Sequence, residues 1–393
     1  MKKKVAAIVT VYLKWSHADV IVGKILEGYE HDGKEFPHLE LVALYVDQFP
    51  QSDLSRKLAK KHGFIIYPTI AQALCQGGTK LAVDGVLSIG EHGDYPRNER
   101  GQILYPRRRF FAEISDVFEK SGQSVPVFND KHLAATWEDA EWMYRRSREL
   151  FVPFLAGSSL PVTWRRPDYT VPKDSDLIGA VQIGYGPFEG YGFHALEALQ
   201  CQVERRRGGE TGVTAVTTLT GEAMWQAMDR GEWSKSLLEA ALAKVPAHAD
   251  GDYRALTAQS DEAGVILIEY RDGLKAAVAM MNGYVYEGDG GAFTFACQRK
   301  NAPVASTHYY LQQPEPFAHF AHQLRAIEHT ILTQHPAYPL ERTLLTTGIL
   351  DAAMRSRSEK GRRIETPHLG IRYTPREWRH AQGTPPKAKP RPG

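Results

Sequence analysis

Over its first 160 residues the chain alternates short apolar runs with amphipathic helical stretches, and this rhythm constrains the fold more than any single motif. Val5 to Val11, residues 39–47, Ile65 to Tyr67, Val83 to Gly90, Val125 to Phe128 and Val152 to Ala156 read as strands. Between them, Ala18 to Tyr29, residues 52–63, Thr69 to Cys75, Arg107 to Ser121 and Trp137 to Leu150 read as helices. Short apolar strands separated by helices belong in a parallel sheet covered on both faces. Gly63 is a stop signal for the second helix. Thr136 reads as an N-cap ahead of Glu138 and Asp139, where the helix dipole favours acidic side chains.

From about Asp176 the pattern changes. Longer alternating stretches appear at 177–186, 213–219, 264–273, 274–284 and 292–298, with turn signals at Arg271-Asp272-Gly273 and Gly288-Asp289-Gly290-Gly291. Phe193 to Arg205, Gly221 to Val245, Phe317 to His335 and Leu340 to Lys360 read as helical. A length of 393 residues suits two domains. The expected fold is α/β: a Rossmann-like doubly wound parallel sheet over residues 1–165, then an α+β domain with a mostly antiparallel, open-faced sheet over 166–378. Residues 379–393, rich in proline and lysine, are expected to be a disordered tail.

A formal net charge of +2, with arginines only in short scattered clusters such as Arg107 to Arg109, argues against a nucleic-acid partner. No run is long enough to span a membrane. The opening resembles a signal peptide, but its apolar core ends at Leu13, before Lys14 and Trp15, with no small-residue cleavage site. Cys75, Cys201 and Cys297 form no CxxC pair, which suits a reducing compartment, and a cytoplasmic location is expected.

In an open α/β sheet ligands bind at the carboxyl ends of the strands. The loop after the first strand, Val11 to Asp19, contains no glycine and so lacks the G-x-G-x-x-G pattern that lets a pyrophosphate approach the backbone. Lys14, Ser16 and the helix N-terminus beginning near Ser16 still offer charge and unsatisfied amides to an anion, and Ser16 also reads as a plain N-cap. Asp47 ends the second strand, where ribose hydroxyls of an adenosine are read. Glu91, His92 and Asp94 follow the fourth strand; with His17 they form either a polar crevice lining or a mixed metal site. Lys131 follows the fifth strand. In the second domain a glycine-rich stretch, 184–194, brings His194 to the start of a helix, and histidine is the usual acid or base for a substrate hydroxyl.

This order of features resembles the Gfo/Idh/MocA oxidoreductase family over most of residues 4–373. Asn129-Asp130-Lys131-His132 stands where the family carries Glu-Lys-Pro and keeps the lysine. Glu91-His92 stands at a Pro-x-x-His stretch, Arg165 and Arg166 at an Arg-containing junction, and His194 at the second-domain histidine. The chain departs from the family in its glycine-free first loop and in Gly190, which replaces an aspartate four residues before the histidine. The resemblance implies NAD or NADP as cofactor and a sugar, cyclitol or related polyol as substrate. It implies catalytic roles for His194, as acid and base, and Lys131, orienting the substrate. Ser16, His17, Asp47, Glu91, His92 and Arg165 are the expected cofactor contacts, with no bound metal. Tyr185 and Tyr191 are expected to stack on the substrate ring. Two further readings use the same fold: a lyase, hydratase or epimerase on a keto-sugar, with or without a metal, and a non-catalytic sugar-binding protein. An open sheet face in the second domain is expected to bury a partner subunit in a homo-oligomer.

Overall fold

The computed structural model describes residues 1–285, 290–313 and 315–389. The first domain runs β1 (Lys3–Val9), α1 (His17–Glu27), β2 (Leu39–Val46), α2 (Ser55–His62), β3 (Ile65–Ile66), α3 (Ile70–Cys75), β4 (Gly85–Ile89), α4 (Arg107–Ser121), β5 (Val127–Asp130), α5 (Trp137–Glu149) and β6 (Phe154–Gly157). Its six strands are all parallel, in the order β3-β2-β1-β4-β5-β6. Val5 to Val9 of β1 are fully buried, as a central strand covered on both faces requires. Because β2 and β4 flank β1 on opposite sides, the order reverses there, and the crevice at the carboxyl ends of β1 and β4 is the switch point of the sheet. Thr136 caps α5 as expected, its hydroxyl accepting from the Asp139 amide at 3.4 Å, and Gly63 ends α2 in a left-handed conformation.

The second domain follows as β7 (Trp164–Arg166), β8 (Leu177–Gly184), α6 (Phe188–Val203), β9 (Val213–Leu219), α7 (Glu222–Asp229), α8 (Lys235–Leu242), α9 (Tyr253–Thr257), β10 (Gly264–Tyr270), β11 (Lys275–Met280), β12 (Gly290–Arg299), β13 (Ala305–Leu311), α10 (Ala318–Thr333), α11 (Leu340–Ser358) and β14 (Ile364–Glu365). The strand order is β14-β9-β10-β11-β8-β12-β13-β7; β8 pairs with β11 in parallel and the other named pairs are antiparallel. Helices α6 and α11 lie on one face. On the other, α8 packs on β8, β12 and β13, so the face expected to need a partner subunit is covered there by the chain itself.

Several expectations change. The helix expected from Phe193 starts earlier: α6 begins at Phe188 and runs through Gly190 and Gly192, placing His194 in its second turn. Glycine weakens a helix by roughly 1 kcal/mol per residue, and the packing of α6 against β8 and α11 offsets that cost at 190 and 192. The single helix expected over 221–245 is two, and β7, β13 and β14 were not expected. The hairpin at Arg271 to Gly273 is present, with Gly273 left-handed; the turn expected at Gly288 begins outside the described residues. Helix α10 returns to the first domain, where Phe320, Leu324 and Ile327 join the core shared by Tyr12, Ala18 and Ile21. Of the segment expected as a tail, residues 379–389 run along the protein: Ala381 is buried and its amide donates to the Val162 carbonyl at 2.9 Å.

Candidate functional site

Where the domains meet, a cavity of about 410 Å³ opens at the carboxyl end of β1 and the start of α1. Four imidazoles line it: His17 and His92 from the first domain, His194 from α6 and His319 from α10. Tyr185, Tyr191 and Phe293 supply an aromatic wall; the Tyr191 ring meets His194 edge-on at 5.7 Å. Trp15, His92, Lys131 and Phe317, all at or just behind this cavity, hold left-handed backbone conformations. Non-glycine residues in that region cost of order 1 kcal/mol each and gather where a site imposes them.

His17 is oriented by a residue the sequence reading passed over. Its Nδ1 donates to Asp130 Oδ2 at 2.6 Å, and Asp130 is 1% exposed. Phe128 packs in the core beneath α1, and strand periodicity puts Asp130 on that same face, towards the first residue of α1. Counting by two along β5 would have identified it.

Behind the cavity lies a charge network. Glu91 accepts from Lys131 Nζ at 2.8 Å and from Arg107 Nη2 at 2.7 Å. Burial alone would raise the Glu91 carboxyl, but the Lys131 and Arg107 charges outweigh it and hold it well below the usual carboxylate range. Arg107 also donates to His132 Nε2 at 2.8 Å, and Glu189 Oε1 of α6 lies 3.3 Å from that nitrogen, so the network crosses the domain boundary. Lys131, the expected substrate-orienting cation, is thus 4% exposed and bound to Glu91 rather than lining the cavity. It is near enough, after burial, to be the largest charge depressing His194, whose proton affinity falls well below that of an ordinary histidine. Burial, then the His17 charge, lowers His92 to about 4; burial, then Lys24, lowers His319 to about 3. At neutral pH these three rings are uncharged, each with a buried Nδ1 that has no partner among the described residues.

The remaining expected residues lie elsewhere. Ser16 is a cap: its hydroxyl donates to the Leu13 carbonyl at 2.7 Å and accepts from the amides of Leu13 and Asp19. Arg165 bonds the Tyr169 and Pro161 carbonyls and the Thr170 hydroxyl, and lines a different cavity of about 350 Å³. Asp47 is fully engaged, accepting from the Tyr45 and Tyr95 hydroxyls at 2.7 Å each and from Arg109. Among the described residues no group of three or more His, Cys, Asp or Glu is arranged to hold a metal. Glu91 is turned to its two cations, which removes it from the mixed site that His17 and His92 would otherwise complete.

No family model and no curated protein matches the sequence. Solved structures match in fold across nearly the whole chain. GenD2 from gentamicin A biosynthesis, solved with NAD, superposes with a TM-score of 0.57 at 14% identity, covering 93% of this chain and 97% of that one. For scyllo-inositol dehydrogenase from Lactobacillus casei the values are 0.56, 12%, 93% and 99%. For the WlbA dehydrogenase from Bordetella pertussis, solved with NADH and UDP-GlcNAcA, they are 0.53, 14%, 93% and 98%. The chain has the two-domain architecture of these dehydrogenases: a doubly wound parallel sheet joined to a mostly antiparallel one.

Proposed function

On that architecture, we propose that the chain is an NAD(P)-linked oxidoreductase acting on a hydroxyl-bearing carbon of a neutral sugar, cyclitol or related polyol. The observation that supports it is the convergence of His194 from one domain with His17, His92 and Asp130 from the other on a single aromatic-walled cavity. Three uncharged imidazoles, with no lysine or arginine among the described lining residues, favour a neutral polyhydroxylated ligand over a phosphorylated one. Tyr191 and Phe293 offer faces for a ring, and the unpartnered imidazole nitrogens offer donors and acceptors for hydroxyls.

In this reading neutral His194 accepts the proton of the carbinol hydroxyl. Lys131 acts one layer back: its charge disfavours a lasting imidazolium, so the proton is passed on rather than stored. His17, which lines the same cavity and is held in one tautomer by Asp130, is the proposed next acceptor. A nicotinamide ring, when bound, supplies the two-electron acceptor. The cavity fits that reacting end. The adenosine end does not fit the protein as it stands, because both oxygens of Asp47 are already bonded, to Tyr45, Tyr95 and Arg109. That engagement also favours a second reading, proton transfer beside the carbonyl of a keto-sugar with no dinucleotide held.

The test is turnover of NAD and NADP with a panel of inositols, aldoses and uronates, alongside thermal stabilisation by each polyol alone. Reduction of nicotinamide with one substrate class, lost in His194→Asn, is expected. Stabilisation by polyols without any reduction would refute the redox reading in favour of the second. Self-association is proposed, and light scattering of the purified chain tests it.

A further inference from the structure

Residues 90–106, between β4 and α4, are longer than the roughly 12–15 residues beyond which a loop without its own structure is uncommon in compact domains. They do not leave the sheet edge directly. At their root the Thr10 hydroxyl, just past β1, donates to the Glu91 carbonyl at 2.6 Å. Next the chain crosses above β1 to reach the end of β2. There the Asp94 amide donates to Gln48 Oε1 at 2.9 Å and Gln48 Nε2 donates back to the Asp94 carbonyl at 2.8 Å. Tyr95 then donates to Asp47. Gly93 sits directly on the loop after β1: a Cβ there would lie 3.3 Å from Val11 Cγ1 and 2.8 Å from the Tyr95 ring. At its far end the segment is tied to the other domain, where Arg100 pairs with Asp351 of α11 at 2.7 Å.

The segment therefore lies over the switch point, where the middle of a dinucleotide would rest, and occupies the carboxylate that would read its ribose. We infer that residues 90–106 form a strap that closes the adenosine half of the cofactor site, and that a dinucleotide is admitted only when Tyr95 and Asp94 release Asp47 and Gln48. Release uncovers two groups together. Asp47 is free to accept from a ribose hydroxyl, and Arg109, now bound to Asp47, is placed beside the same ribose. The glycine-free loop is consistent with the same geometry: Val11 is buried and lies beneath Gly93 of the closed strap instead of facing a pyrophosphate. This inference rests on the nicotinamide-linked reading above.

The experiment compares the full-length chain with the double variant Gln48→Ala/Tyr95→Phe, which unlatches the strap and leaves Asp47 intact. NAD affinity is measured by calorimetry, and hydrogen exchange is followed over residues 92–97 with and without NAD. Because apparent affinity is the intrinsic affinity scaled by the open fraction, the variant is expected to bind NAD roughly 10–100-fold more tightly. In the native chain NAD is expected to raise exchange across 92–97. Tight NAD binding to the native chain with those amides still protected would overturn the strap and leave the cofactor reading standing. No binding to either protein, with the variant's strap exchanging freely, would overturn the cofactor reading and the strap with it.

Discussion

Replacing Glu91 with glutamine tests the network that joins the two domains. The substitution keeps the size of the side chain but removes the negative charge between Lys131 and Arg107, whose side chains are 5% and 1% exposed. Breaking a buried pair by removing one partner costs about 3–5 kcal/mol, because the partner is left charged and desolvated. With an unfolding entropy of about 2.1 cal/mol/K per residue, a 393-residue chain melting as one unit would lose about 4–6 °C. The pH dependence has a definite sign. Glu91 is held well below its unfolded range, so its contribution is fully present above the unfolded carboxylate value and is lost as pH falls through the folded one. The gap between native and Glu91→Gln proteins should therefore be constant across neutral pH and narrow in acid. Urea unfolding followed by tryptophan fluorescence at several pH values measures it. Adding Lys131→Met should recover part of the loss, since one stranded cation is removed. A gap under about 1 kcal/mol at neutral pH, or one that widens in acid, would refute the reasoning.

His194→Asn should lower kcat by about 10²–10⁴-fold with polyol binding largely kept, and the native pH–rate profile should show no inflection near 6.5 from this ring, which is neutral there. Glu197, fully buried, is raised to about 7 by its burial, against the opposing pull of Arg342. Its stabilising contribution is complete below the unfolded carboxylate value and declines by at most about 1.4 kcal/mol per pH unit up to about pH 7, so the stability of Glu197→Gln in urea denaturation should rise relative to that of the native chain between the unfolded carboxylate value and about pH 7. Arg165→Gln should leave polyol and NAD binding unchanged by calorimetry, because Arg165 faces another cavity, while lowering thermal stability through its lost bonds to Pro161 and Tyr169.

The first domain was legible because its strands are short, apolar and separated by capped helices; even Thr136 and Gly63 act as their residue types suggest. Legibility fell where tertiary packing overrides local preference. Gly190 and Gly192 carry weak helical preference, yet both lie inside α6, whose packing against β8 and α11 holds them there. Of the residues singled out by strand ends and helix starts, His17, His92 and His194 line one cavity. Asp47 was found at the right strand end, but its occupation by Tyr95 depends on a contact between residues 48 apart, which no local pattern reveals. His319 was missed for a similar reason: the return of α10 to the first domain leaves no trace in periodicity.

That return has an engineering consequence. The backbone leaves the parallel sheet after β6, comes back as α10 to seal α1, and departs again into α11. A truncation at residue 165 would expose the apolar bed of Phe320, Leu324 and Ile327 on α1, so the front half is not a detachable module. Grafting a new substrate half onto this scaffold would have to carry α10 along as part of the recipient.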